Sequence, residues 1–241
     1  MAEQIITNKD RLKFYNEDEY VYDWDKEPKE YSQLFYTLWY PVAKLVCKFK
    51  FDIEFYGAEN VPTNGPLIMA ANHVAGLDPI AITYCLRNKN RMRTMRFMAK
   101  EEFYHVFYIR IPLDYFGGFP VKRGTSDRKS LEYSKKVIGK GQILLVFPQG
   151  TRDKERKRPE EAKGGVALLA RETKADVLPV SIYRSPKEEG RKKDKYVIRF
   201  GEVIPYADLG LGDKPKSKEL KAATKLIMDK IGELWDKDGA K

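Results

Sequence analysis

From about residue 50 onward, short apolar runs alternate with segments of helical period. No other feature restricts the fold as strongly. Phe49, Phe51, Ile53 and Phe55 alternate with Lys50, Asp52 and Glu54, the two-residue period of a half-buried strand. A turn rich in proline and glycine follows (Gly57, Pro62, Gly65, Pro66), then an apolar run, Leu67–Ala71, that empties into Asn72-His73. Asp78-Pro79 opens a helix reaching about Arg87, aspartate suiting the N-cap and proline the first helical position. Further strands are expected at 96–99, 119–122, 143–147, 177–183 and 195–200, with helices near 101–109, 126–138 and 162–172. In a last helix over 217–236, Leu220, Ala223, Ile227, Ile231 and Leu234 fall on one face. Strands that alternate with helices predict an α/β fold, a sheet flanked by helices.

The 241 residues, 42% of them apolar, suffice for one large domain with a real core. A charged fraction of 33% and a mean hydropathy of −0.57 exclude a polytopic membrane protein. Cys47 and Cys85 form no C-x-x-C, which argues against a disulfide scaffold or a thiolate zinc site. His73 and His105 are too few for a multi-histidine centre, so neither metal nor cofactor is expected. The net charge of +10 points to an anionic partner, and it is unevenly spread, because residues 1–30 carry −4. Met1-Ala2-Glu3-Gln4 begins no basic stretch with an apolar run behind it, so a secretory signal is not expected.

Residues 31–49 read as a helix of a different character. Gln33, Thr37, Pro41, Lys44 and Lys48 form one narrow polar stripe, and apolar or aromatic residues such as Tyr36, Trp39 and Tyr40 cover the rest. A buried core helix and a membrane contact both fit that composition. A transmembrane span does not, since the segment is short and holds Pro41 and two lysines. The expected division is a helical membrane-association segment at 1–49 and an α/β domain at 50–241. Basic clusters from Arg87 to Arg96 and from Arg191 to Lys195 would add attraction to anionic lipid.

The strongest constellation is Asn72-His73 followed by Asp78. A strand that ends in a histidine presents its imidazole at the carboxyl edge of the sheet, where open α/β sheets place their chemistry. Through the flexible Gly76, Asp78 can turn back to the ring, hold one tautomer and stabilise the imidazolium of a general base. In isolation such a pair is more often a helix cap beside a loop histidine. A second block, Phe147-Pro148-Gln149-Gly150-Thr151-Arg152, offers a tight turn, a hydroxyl and a guanidinium, which are parts for anion binding. A third runs from Gly117 to Lys122 and Arg123, where Arg123 supplies a planar fork for a phosphate. No phosphate loop, dinucleotide fingerprint, nucleophile elbow or nucleic-acid signature is present, and His105 reads as a packed or interfacial residue.

Together these blocks resemble the glycerolipid acyltransferase family, most closely its 1-acylglycerol-3-phosphate acyltransferases. Asn72-His73…Asp78 is similar to the family's N-H-x-x-x-x-D block, and Gly117…Arg123 to its glycine-to-arginine block. Phe147…Arg152 is similar to F-P-E-G-T-R, and Val177-Leu178-Pro179-Val180 to the closing proline-centred block. Four blocks in family order over roughly residues 50–185 are specific. Gln149 departs from the family's glutamate, keeping hydrogen-bonding capacity and losing the charge.

The resemblance implies the glycerophosphate acyltransferase-like fold and an enzyme that moves a fatty acyl group from an acyl-ACP or acyl-CoA thioester to the free hydroxyl of lysophosphatidic acid. His73 would be the base and Asp78 its partner. Asn72, Lys122, Arg123, Gln149, Gly150, Thr151 and Arg152 would bind substrate. The expected place is the cytoplasmic face of the cell membrane, bound peripherally or monotopically to an anionic surface, with no nucleic acid as partner. Two alternatives stand beside it: an acyltransferase for glycerol 3-phosphate, another lysolipid or an amino-lipid, and a non-enzymatic basic protein binding membrane or nucleic acid.

Overall fold

The computed structural model describes residues 20–30, 33–89, 92–122, 127–162, 164–185, 193–212 and 216–239. Helix α1 (Gln33–Lys50) leads directly into β1 (Phe51–Tyr56). Then follow β2 (Leu67–Ala71), α2 (Asp78–Asn88), β3 (Met95–Lys100), α3 (Phe107–Tyr115), β4 (Gly118–Val121), α4 (Arg128–Gly139) and β5 (Ile143–Val146). The chain continues through α5 (Gly165–Thr173), β6 (Asp176–Arg184), β7 (Asp194–Phe200) and α6 (Ser217–Gly239). The strands form one sheet in the order β1-β7-β6-β2-β5-β3-β4. All neighbours are parallel except β6 and β7, so β1 and β7 run against the other five.

The contiguous apolar composition of β2 has a simple cause. It lies mid-sheet between β6 and β5, and Leu67, Ile68, Met69, Ala70 and Ala71 are all buried, alternately toward two cores. One core includes Ala81, Ile82, Cys85 and Leu86 of α2, with Leu113 of α3 packed against it. The other includes Val137 of α4, Ala170 of α5 and Ile227 and Ile231 of α6. The face read for the last helix is the face that is buried.

Two expected elements shift. Phe49 belongs to the last turn of α1 rather than to β1, because the apolar series Leu38, Val42, Leu45, Phe49 keeps helical spacing through it. The helix expected at 101–109 is a 3-10 turn at Glu101–Phe103, and α3 starts at Phe107. Buried Tyr104 and Val106 hold the chain between them. Gly117 is required by the backbone: its φ is 86°, and a Cβ there would sit 2.8 Å from the carbonyl oxygen of Met95.

Helix α1 is neither wholly buried nor wholly exposed. Ala43 and Cys47 are buried, Tyr40 stacks on Tyr84 of α2 with centroids 6.1 Å apart, and the helix also packs on β1. Leu38, Val42, Leu45 and Phe49 face outward, Leu38 and Phe49 being 67% and 68% exposed. Helix α3 likewise exposes Phe107, Tyr108, Ile111 and Tyr115. Among the described residues no helix is long and apolar enough to cross a membrane. The basic cluster 87–96 is only partly available to a surface. Arg93 donates to the carbonyls of Pro62, Gly65 and Gly141, and Arg96 to that of Lys29.

Candidate active site

Sheet register brings the first two blocks together. β2 and β5 are adjacent and parallel with Ala70 opposite Val146, so both chains leave the sheet at the same edge. One emerges as Asn72-His73, the other as Phe147. The His73 and Phe147 rings stack with centroids 4.0 Å apart and planes inclined by 19°. The Asp153 N–H donates to the His73 carbonyl at 2.8 Å, tying the two loops together. The turn 147–150 closes through the Gly150 N–H on the Phe147 carbonyl, and Gly150 takes a φ of 73°, the left-handed region that suits glycine.

His73 Nδ1 lies 2.7 Å from Asp78 Oδ2. The same oxygen accepts from the Val74 and Ala75 N–H groups at 2.8 and 3.0 Å, while Oδ1 accepts from the Tyr196 hydroxyl at 2.7 Å. The carboxylate is fully buried, and these four donors offset its desolvation. Asp78 is the first residue of α2 and not its N-cap, a position held by Leu77; its oxygens serve the loop and the ring instead. With Nδ1–H donating to Asp78, Nε2 is left as the basic nitrogen of the imidazole. Burial, with the Asp78 carboxylate beside it, pushes the Tyr196 phenol well above its ordinary pKa and keeps it a donor.

The other predicted residues are distributed as follows. Arg152 belongs to the site: its guanidinium reaches Gly76 in the loop between His73 and Asp78, Nη1 lying 3.6 Å from where a Cβ on that glycine would stand. Gln149 carries a buried Oε1 that accepts no hydrogen bond among the described residues. Thr151 is exposed beside it. Asn72 is committed to the fold, its amide donating to the Ile182 carbonyl at 2.8 Å and accepting from the Ile182 N–H at 2.6 Å. It joins β2 to β6 and thereby positions His73. Lys122, exposed at the end of β4, stands three strands from β2, about 14 Å along the sheet edge at normal strand spacing. Arg123 lies outside the described residues.

Beside this edge, between α4 and α5, is a cavity of about 730 Å³. Met98, Val121 and Val146 line it from the sheet, Leu131 and Leu169 from the helices. Phe147 lines it too, so the ring that stacks on His73 also borders an apolar groove. Cys47 and Cys85 offer no alternative nucleophile. Both are buried, which raises the Cys47 thiol to about 11 and that of Cys85 well above its ordinary value. Tyr196 gives no signal in the sequence, being one of fifteen tyrosines and distant from every block. The role of Phe147 was hidden similarly, since only strand register shows that it meets His73.

The chain belongs to the acyltransferase family, whose profile, described as Acyltransferase, matches residues 52–183, and it is an O-acyltransferase. A 1-acyl-sn-glycerol-3-phosphate acyltransferase of Bacillus subtilis is 27% identical over 196 residues, covering 80% of this chain and 94% of the relative. One of Streptococcus pneumoniae is 26% identical, covering 78% and 69%. The crystal structure of the 1-acyl-sn-glycerophosphate (LPA) acyltransferase from Thermotoga maritima has the same fold, with a TM-score of 0.59 at 21% identity over 86% of this chain and 80% of that one.

Proposed function

We propose that this enzyme transfers a fatty acyl group from the thioester of an acyl carrier protein or coenzyme A to the free hydroxyl of lysophosphatidic acid, giving phosphatidic acid. The observation that carries the reading is the placement of the His73–Asp78 pair against a ring that borders an apolar groove. His73 Nε2 takes the proton of the acceptor hydroxyl as its oxygen bonds to the thioester carbonyl carbon. Asp78 compensates the charge of the imidazolium. As the tetrahedral intermediate collapses, the C–S bond breaks and the leaving sulfur receives the proton from Nε2, which restores the base. The names of the relatives support this acceptor. Gln149 offers an acceptor oxygen at the turn, and Arg152 with Arg123 offers guanidinium groups to the phosphate. Asn72 and Lys122 act from farther away, Asn72 by positioning and Lys122 by charge.

Purified protein given lysophosphatidic acid and acyl thioesters should yield phosphatidic acid by mass spectrometry. Product from glycerol 3-phosphate or an amino-lipid but none from lysophosphatidic acid would overturn the assignment. Arg152→Ala should lower kcat/KM for the phosphorylated acceptor about tenfold to a hundredfold, the worth of a charged hydrogen bond. It should affect an unphosphorylated monoacylglycerol far less. Equal losses on the two acceptors would remove Arg152 from phosphate binding.

We also propose that residues 1–49 hold the enzyme at the cytoplasmic face of an anionic membrane without spanning it. The outward row Leu38, Val42, Leu45, Phe49, with Lys44 and Lys48 beside it, suits insertion to headgroup depth, and the apolar face of α3 supports the same reading. Deleting the segment is a poor test, because Tyr22 and Trp24 pack on Tyr133 and would be lost too. Replacing Leu38, Leu45 and Phe49 by serine leaves the buried side of α1 intact. Co-sedimentation with phosphatidylglycerol vesicles should weaken at least about tenfold. Wild-type vesicle binding by this variant would refute the anchor.

A further inference from the structure

We propose that Arg156 is a positioning residue for the acceptor: its guanidinium ties the turn carrying Arg152 to the strand pair carrying Tyr196, and so fixes the distance between a bound phosphate and His73. The inference deepens the reading above and rests on its assignment of Arg152 to the phosphate. The backbone at Arg156 is strained. Among the described residues only Arg156 and Lys174 have positive φ without being glycine, 58° and 53°. Lys174 is the C-cap of α5, where the left-handed conformation is ordinary. Arg156 caps no helix. It lies four residues past Arg152 in the loop between β5 and α5, and a left-handed arginine there persists only if its surroundings over-determine it.

They do so from both sides. The Asp153 N–H donates to the His73 carbonyl, and the Asp153 carboxylate accepts from the Glu155 and Lys157 N–H groups at 2.8 and 2.7 Å. The chain is thereby wrapped around that carboxylate with Arg156 inside the turn. Arg156 Nη1 donates to the carbonyl of Ser185, just past β6, at 2.5 Å, and Nη2 lies 4.0 Å from Asp194 Oδ2 at the start of β7. These partners are themselves fixed. Asp194 accepts from Arg184 Nε at 2.8 Å, the Ser185 N–H donates to the Lys195 carbonyl at 3.0 Å, and the Lys195 N–H donates to the Ser185 hydroxyl at 3.3 Å. Two residues along β7, on the same face as Asp194, Tyr196 reaches Asp78. Arg156 thus joins the anion-binding turn to the frame behind the base, and their separation decides whether the acceptor hydroxyl lies in line with Nε2. A misplacement of about 1 Å in such an alignment can cost about a hundredfold. Arg158 ties the same loop to Asp236 of α6 instead, through a bidentate pair at 2.8 and 2.9 Å.

The test compares lysophosphatidic acid with monoacylglycerol as acceptors. In Arg156→Ala the preference for the phosphorylated acceptor, as a ratio of kcat/KM values, should fall about tenfold, and Arg156→Lys should recover part of it. Arg156→Gly should lose as much preference as Arg156→Ala yet melt about 2 °C higher, since glycine takes this φ without strain. Preference and stability then part company, which a merely structural role does not allow. Arg152→Ala/Arg156→Ala should match the preference of Arg152→Ala alone within about twofold, because Arg156 acts through that residue. Multiplied losses in the double variant would make Arg156 a direct ligand, and an unchanged preference in Arg156→Ala would leave it no role; either overturns the proposal. So would an equal fall in Arg158→Ala, which slackens the loop elsewhere. If Arg152→Ala by itself leaves the preference intact, the phosphate reading fails instead.

Discussion

Replacing His73 by alanine should leave a folded protein that forms no product above background, a loss of at least about a thousandfold, within the range of general-base catalysis. The fold should survive because Asp78 keeps three of its donors, the Val74 and Ala75 N–H groups and the Tyr196 hydroxyl. The buried carboxylate is not left unpaired. No other imidazole can stand in. His105 lies in the turn before α3, on a segment that leaves β3, and its replacement by alanine should leave turnover near wild type. Product formation and thermal unfolding measured on both variants separate chemistry from folding. Near-normal turnover by folded His73→Ala would falsify the mechanism.

How legible the site was depends on whether each residue's task is local. His73 and Asp78 are five residues apart on one strand–loop–helix unit, so the sequence offers their pairing, and the company of the other blocks favours it over a helix cap beside a loop histidine. It does not offer their setting. Phe147 reaches His73 only because β5 pairs with β2, and Tyr196 reaches Asp78 only because β7 returns antiparallel to β6 at the far side of β2. Both contacts are long-range consequences of strand order, which alternation of strands and helices does not determine. Asn72 shows the converse. A polar residue beside the proposed base reads as a substrate ligand, yet its amide is spent on the Ile182 backbone. Helix α1 was ambiguous for a composition reason. Its apolar residues outnumber what one packing edge needs, and only burial tells that Ala43 and Cys47 face the protein while Leu38 and Phe49 do not.

Asp78→Asn should lower turnover by about two to three orders of magnitude while preserving the fold and the tautomer of His73. The site itself decides how the amide would sit. Oδ2 of Asp78 faces three N–H donors, from His73, Val74 and Ala75, and an amide nitrogen there would find nothing to accept its protons. Toward Oδ1 stands the Tyr196 hydroxyl, which can accept as well as donate. The asparagine therefore keeps its oxygen toward His73 and turns its nitrogen to Tyr196. Only the charge is lost, and with it the compensation of the imidazolium that holds the acceptor's proton. In serine-protease triads the same exchange costs about ten-thousandfold, because the histidine is left in the wrong tautomer. Here Tyr196 removes that component, so the loss should be smaller and confined to kcat, with KM for donor and acceptor unchanged. Asp78→Ala makes the contrast. It strands the Tyr196 hydroxyl and two loop N–H groups in a buried place, and each lost partner should destabilise the fold by about 1–3 kcal/mol. A folded Asp78→Asn enzyme whose kcat equals that of wild type would show that the charge takes no part in the reaction. A loss of about ten-thousandfold or more, as in the serine-protease triads, would show that the tautomer is not held and that Tyr196 does not orient the pair.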